Sequence, residues 1–142
     1  MPGLNIRVFL CAFLLISAVS SATAFAEVKL GALTICKGVE GPELNPVNAT
    51  DKFGSDTPVI HAVAQIKDGI PYTKITGKWI SVDAISIPDY EINSIEVVLN
   101  KTATVNAHFE LSKPTKGWPA GNYKVDIYID GKKAGSAAFS IR

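Results

Sequence analysis

The stretch TATVNAHFEL, Thr102 to Leu111, places Ala103, Val105, Ala107, Phe109 and Leu111 at alternate positions, with Thr102, Thr104, Asn106, His108 and Glu110 between them. Successive side chains of a β-strand point to opposite faces. Strict alternation over this length therefore predicts a strand with one face in a core and the other in water. Residues 123–129 repeat the pattern, with Tyr123, Val125, Ile127 and Ile129 set against Lys124, Asp126 and Tyr128. Asp130-Gly131 follows, a dipeptide that accepts the positive φ of a tight hairpin. Gly135, Ala137, Phe139 and Ile141 then mark the returning strand.

Weaker alternation predicts further strands near 28–36, 59–66, 73–82 and 92–99. In 59–66 the inward set is Ile60, Ala62, Ala64 and Ile66, although Val59 and Val63 leave the opposite choice open. In 73–82, Ile75 and Trp79 share a face. Asn100-Lys101 is read as a turn closing a hairpin between 92–99 and 102–111, without the glycine that such turns favour. No segment sustains a helical period. Short strands separated by Pro/Gly-rich turns predict an all-β, antiparallel sandwich of seven to eight strands.

Ahead of the strands, Met1 to Ala26 reads as a secretory signal peptide. Arg7 supplies the positive start, Val8 to Val19 is apolar and uncharged, and Ala24-Phe25-Ala26 puts small residues at a cleavage site before Glu27. The apolar run is short of the roughly 20 residues a spanning helix needs. The expectation is cleavage after Ala26, no membrane anchor thereafter, a periplasmic or extracellular location, and a single domain over 27–142. The 14 Lys+Arg and 13 Asp+Glu of the chain balance once Arg7 is removed. No basic stripe is present, so nucleic acid is not an expected partner.

Of the two cysteines, Cys11 lies in the signal and Cys36 remains as a single free thiol. The expectation is a small buried residue at the end of the first strand, with a reactive or intermolecular thiol as the alternative. Asn48-Ala49-Thr50 and Asn100-Lys101-Thr102 match the glycosylation sequon, which matters only where secreted proteins are glycosylated.

These positions together resemble the immunoglobulin-like or fibronectin-III-like sandwich, of the kind that bacteria secrete. Trp79 falls on the third strand, where such domains keep a core tryptophan. Gly121-Asn122-Tyr123 enters the sixth with Tyr123 placed like a tyrosine corner. The resemblance implies that the Tyr123 hydroxyl bonds backbone in the preceding connection. It also implies that the second and fifth strands are neighbours. The inter-sheet disulfide of antibody domains is absent, because Val125 stands where its second cysteine would fall.

Catalysis needs convergent groups, and no nucleophile elbow, zinc-protease, paired-cysteine or phosphate-loop motif occurs. No cofactor is expected. His61 and His108, both outward on the second and fifth strands, are candidate metal ligands as a cross-strand pair, or else two unrelated surface histidines. Glu40, Glu43, Asp51 and Asp56 lack the spacing of a calcium loop. The segment Lys37–Pro58, with Pro42, Pro46 and Pro58, is read as one connection longer than the usual ~12–15 residues, a length that is often functional. It shares one end of the sandwich with Phe53, read as a lid on the core, and with Tyr90 and Trp118. Pro46, Tyr90 and Trp118 are therefore the partner-binding candidates, with Trp118 expected to be partly exposed. The expected role is a secreted or periplasmic, non-enzymatic binding or assembly module whose partner is another envelope or secreted protein. The alternative is a small-ligand or metal carrier using His61 and His108, and the third reading an enzyme of unrecognised type.

Overall fold

The computed structural model describes residues 26–142; residues 1–25, and with them the signal-peptide reading, lie outside the described part. Among the described residues nine strands run in the order β1 Lys29–Glu40, β2 Asn45–Ala49, β3 Lys52–Phe53, β4 Val59–Gly69, β5 Lys74–Ser81, β6 Tyr90–Val98, β7 Ala103–Ser112, β8 Gly121–Ile129 and β9 Lys132–Ile141. They form two stacked sheets, β2-β1-β4-β7 and β3-β9-β8-β5-β6. All ladders are antiparallel except β3 beside β9. The fold is an immunoglobulin-like, all-β sandwich. Among the described residues no helix is long and apolar enough to cross a membrane.

The core lies where the two inner faces meet. Ile60, Ala62, Ala64 and Ile66 of β4 and Ala107, Phe109 and Leu111 of β7 face Ile75 and Trp79 of β5, Tyr123, Val125 and Ile127 of β8, and Phe139 and Ile141 of β9. Tyr123 and Phe139 stack at 5.3 Å, and Trp79 meets Phe139 edge-on at 5.9 Å. Gly77 makes room for a neighbour from the other sheet, since a Cβ there would lie 2.6 Å from the Phe109 ring. The Tyr123 hydroxyl donates to the Pro119 carbonyl at 2.5 Å, so the tyrosine corner is present.

Three expectations are corrected. Lys37–Pro58 is not one long connection. Lys37 to Glu40 continue β1, Gly41 at φ 72° and Leu44 at φ 56° turn the chain, and β2 returns with Glu40 opposite Asn45. Pro46 is tolerated because β2 is an edge strand with only one partner. The chain then crosses to the other sheet as β3, where Phe53 is buried edge-on to Phe139 at 5.8 Å.

The second correction concerns β6, which pairs with β5 and not with β7. Its half-buried Ile95 and Val97 pack on the core from that side. Its end is tied to the β4–β5 turn, with Tyr72 N–H donating to Leu99 O at 2.8 Å and Leu99 N–H to Thr73 O at 2.9 Å. Asn100-Lys101 therefore carries the chain between sheets. A two-residue hairpin there would need positive φ at Lys101 as well as at Asn100, and lysine stands where such turns favour glycine.

The third is Trp118, which is 4 % exposed and belongs to the core. Its flanking Gly117 and Pro119 suggest a loop. The indole nevertheless folds inward, donating to Thr57 O at 2.7 Å and meeting Tyr123 edge-on at 6.3 Å.

Candidate functional site

The sandwich presents two surfaces with chemistry to offer. The first is the outer face of the β2-β1-β4-β7 sheet. Inward Ile60, Ala62 and Phe109 force His61 and His108 outward, because alternate residues of a strand take opposite faces. The ladder sets His61 opposite Glu110 and His108 opposite Val63, so the two imidazoles are diagonal neighbours. His61 Nδ1 lies 2.8 Å from His108 Nε2, with the ring planes 12° from parallel. His61 Nδ1 is also 3.8 Å from Glu110 Oε2. One nitrogen of the close pair must carry the shared proton and the other must accept it. Burial is the main cause pushing the His108 imidazole below its usual value, reinforced by the charge of His61 and opposed by that of Glu110.

On the other side of His61, Cys36 of β1 is its ladder partner, so Cys36, His61 and Glu110 form a row across three strands. The thiol is buried because the β1–β2 hairpin bends over this face. The side-chain amide of Asn106 anchors the hairpin tip by donating to Glu43 O at 3.1 Å. Burial raises the Cys36 thiol above its ordinary value, with hydrogen bonds from the Val47 and Gly38 backbone pulling the other way. The compact group of potential ligand atoms, all within 4.8 Å of one another, comprises His61, His108 and Glu110 and leaves Cys36 out.

The second surface is the free edge of the other sheet. β6 is its terminal strand, and every large apolar side chain that is exposed among the described residues lies on or beside it. Ile85, Ile87, Tyr90 and Ile92 gather at its start; Ile70, Tyr72 and Val98 gather at its end. Tyr72 is 85 % exposed at φ 70°, a left-handed conformation that costs a non-glycine residue about 1–3 kcal/mol and tends to occur where function needs it. The loop between β5 and β6 is pinned at its base. Asp83 accepts the Asn122 backbone N–H at 2.7 Å and its side-chain amide at 2.8 Å. Asp89 N–H donates to Val82 O at 3.0 Å. Ile85 and Ile87 are thus held out on an ordered support.

The connections expected at one end do meet there. Trp118 N–H donates to Ser55 O at 3.0 Å, and Val82 N–H to Asn122 O at 2.9 Å. The three expected partner-binding residues do not form one patch, however. Tyr90 is exposed at the β6 edge, Pro46 is exposed on β2 at the edge of the other sheet, and Trp118 is buried. Ile85, Ile87 and Ile92 escaped sequence reasoning, although the run AISIP, Ala84 to Pro88, places two isoleucines beside a proline and so marks an apolar loop. A cleft of about 530 Å³ between the hairpin tip and the β6–β7 crossing is lined by Glu43, Gln65, Lys101 and Asn106 among others, and holds no histidine or cysteine.

No protein-family model and no curated protein matches the chain. Solved structures do. An immunoglobulin-like protein from Pseudomonas aeruginosa is similar at a TM-score of 0.50 and 15% identity, covering 84% of this chain and 99% of that one. An alkylpurine DNA glycosylase from Pseudomonas fluorescens is similar at a TM-score of 0.52 and 16% identity, with 82% of this chain matched to 31% of that one. A β-D-glucoside glucohydrolase from Trichoderma reesei is similar at a TM-score of 0.51 and 12% identity, with 83% matched to 19%. The chain spans less than a third of either enzyme, so each likeness is to a fraction of the enzyme and shows the fold alone.

Proposed function

We propose that this chain is a non-enzymatic binding or assembly module of the secreted or periplasmic space, and that it takes up an extended segment of a partner protein along β6. The carrying observation is the concentration of exposed apolar side chains on one unpaired sheet edge. Exposed edges are usually blunted by charge, proline or covering loops. Here Glu91 and Glu96 charge the strand itself, but its flanks are apolar at both ends. A strand added to such an edge gains main-chain hydrogen bonds for affinity, while alternate side chains settle on the apolar positions for specificity. Exposed Glu96 on β6 favours a basic residue in the incoming segment, whereas Glu91 already pairs with Lys78 of β5 at 3.6 Å. The signal-like Met1–Ala26 supports export, and with it a partner from the envelope or the secreted proteins.

A photo-activatable cross-linker placed in turn at Ile87, Ile92, Pro46 and Lys132 in the producing cell tests this reading. Ile87 and Ile92 should give one discrete adduct with a different protein, and Lys132 none. An adduct only with a second copy of the chain, or adducts from Pro46 and Lys132 alone, would overturn it.

A further inference from the structure

We propose that His61, His108 and Glu110 bind a single divalent transition-metal ion on the outer face of the β2-β1-β4-β7 sheet. This site is independent of the β6 edge, since it lies on the other sheet. Two imidazole nitrogens and one carboxylate oxygen are a ligand set suited to zinc or copper. Calcium and magnesium prefer oxygen ligands and would find only the carboxylate. Three protein ligands leave one position of a tetrahedral ion to water, the arrangement of an open site.

The spacing is near what an ion requires. Ligand atoms at ~2.0–2.1 Å from a tetrahedral metal stand about 3.3–3.4 Å apart. His61 Nδ1 and His108 Nε2 are 2.8 Å apart, and His61 Nδ1 is 3.8 Å from Glu110 Oε2. One separation must open and the other close by about half an ångström, within the reach of side-chain rotation. On binding, the ring that carries the proton between the imidazoles shifts it to its other nitrogen, so both rings stay neutral and His61 Nδ1 and His108 Nε2 each offer a lone pair to the metal.

Scaffold and access both favour occupancy. His61 and Glu110 are held opposite each other by the β4–β7 ladder, so two of the ligands are positioned by main-chain pairing before any ion arrives. The His61 side chain is 15% exposed and that of Glu110 58%, which shields the imidazoles and leaves the carboxylate open as the point of entry. Cys36 shares the row, but it is sealed under the β1–β2 hairpin and outside the compact group.

Purified protein without a polyhistidine tag, titrated with zinc against a chromophoric chelator, tests the site. One ion per chain is expected, together with a raised melting temperature. The ring-nitrogen resonances of both histidines should move in nitrogen-15 spectra. His61→Gln and His108→Gln should each weaken binding at least tenfold, and Cys36→Ser should leave it unchanged. Glu110→Gln, a surface change that spares the fold, should also weaken it tenfold. No uptake by the wild-type protein, retention of full affinity in Glu110→Gln, or loss of binding in Cys36→Ser would overturn the proposal.

Discussion

The Trp118 indole N–H donates to the Thr57 carbonyl at 2.7 Å, and this bond closes the sandwich end where the segment before β4 meets the connection before β8. Trp79, at the centre of the core, is fully buried, and among the described residues its indole nitrogen has no partner. Each tryptophan should cost about 3–5 kcal/mol when replaced by alanine. Phenylalanine separates them. Trp118→Phe strands the Thr57 carbonyl and should be the more damaging of the two by about 1–3 kcal/mol, whereas Trp79→Phe removes a donor that was never satisfied. Denaturant titration of the four variants measures both contrasts. A Trp118→Ala protein as stable as wild type would contradict the burial of this residue.

Tyr123 combines packing with titration. Losing the hydroxyl that reaches Pro119 should lower stability by about 0.5–1.5 kcal/mol at neutral pH. Burial also raises the phenol above its ordinary value. The folded state therefore holds this proton more tightly than the unfolded chain. That contribution is complete below the ordinary tyrosine pKa of about 10 and is lost as pH rises towards the folded value. Tyr123→Phe should flatten the alkaline limb of the stability profile, and an unchanged limb would contradict this.

Asp83 carries the opposite sign. The Asn122 backbone N–H, then its side-chain amide, hold the exposed Asp83 carboxyl below the usual range. Its stabilisation is present above the ordinary carboxylate pKa and fades as pH falls through the lowered folded value. Asp83→Asn should lose stability at neutral pH and show a shallower acid transition. Because Asp83 pins the loop bearing Ile85 and Ile87, amide exchange between residues 82 and 89 should also quicken.

Gly77→Ala tests the packing of the two sheets. Its new Cβ would sit 2.6 Å from Phe109, in a core with little room to yield. A cost of about 1–3 kcal/mol is expected by thermal or denaturant unfolding, and a neutral result would mean that the sheets stand further apart.

Much of this architecture is legible in alternation alone. The inward sets of β7 and β8 and the outward His108 follow from local pattern, whereas the facing of β4, and with it His61, is open between two choices in the sequence and the Tyr123 corner is implied by the resemblance to immunoglobulin-like sandwiches. What escapes is set by distant partners. β2 and β3 are short edge strands, rich in residues that signal loops, and they exist because β1 and β9 offer them ladders. Alternation in 92–99 shows that one face is apolar without saying which sheet receives it, and β6 joined β5. Trp118 lies in loop-like sequence and is buried only because Ser55 and Thr57, far away along the chain, supply carbonyls to it. The histidine pair is legible as a possibility; its 2.8 Å contact depends on the exact β4–β7 register.

Amide hydrogen exchange along β6 probes the binding role most directly. As a terminal strand it has a partner on one side only, so amides that point away from β5 should exchange quickly in the protein alone. On mixing with the partner captured at Ile87 and Ile92, residues 90–98 should become protected while residues 132–141 keep their rates. Protection that appears on β2 or β9 and leaves β6 unchanged would contradict the assignment of this edge as the docking strand.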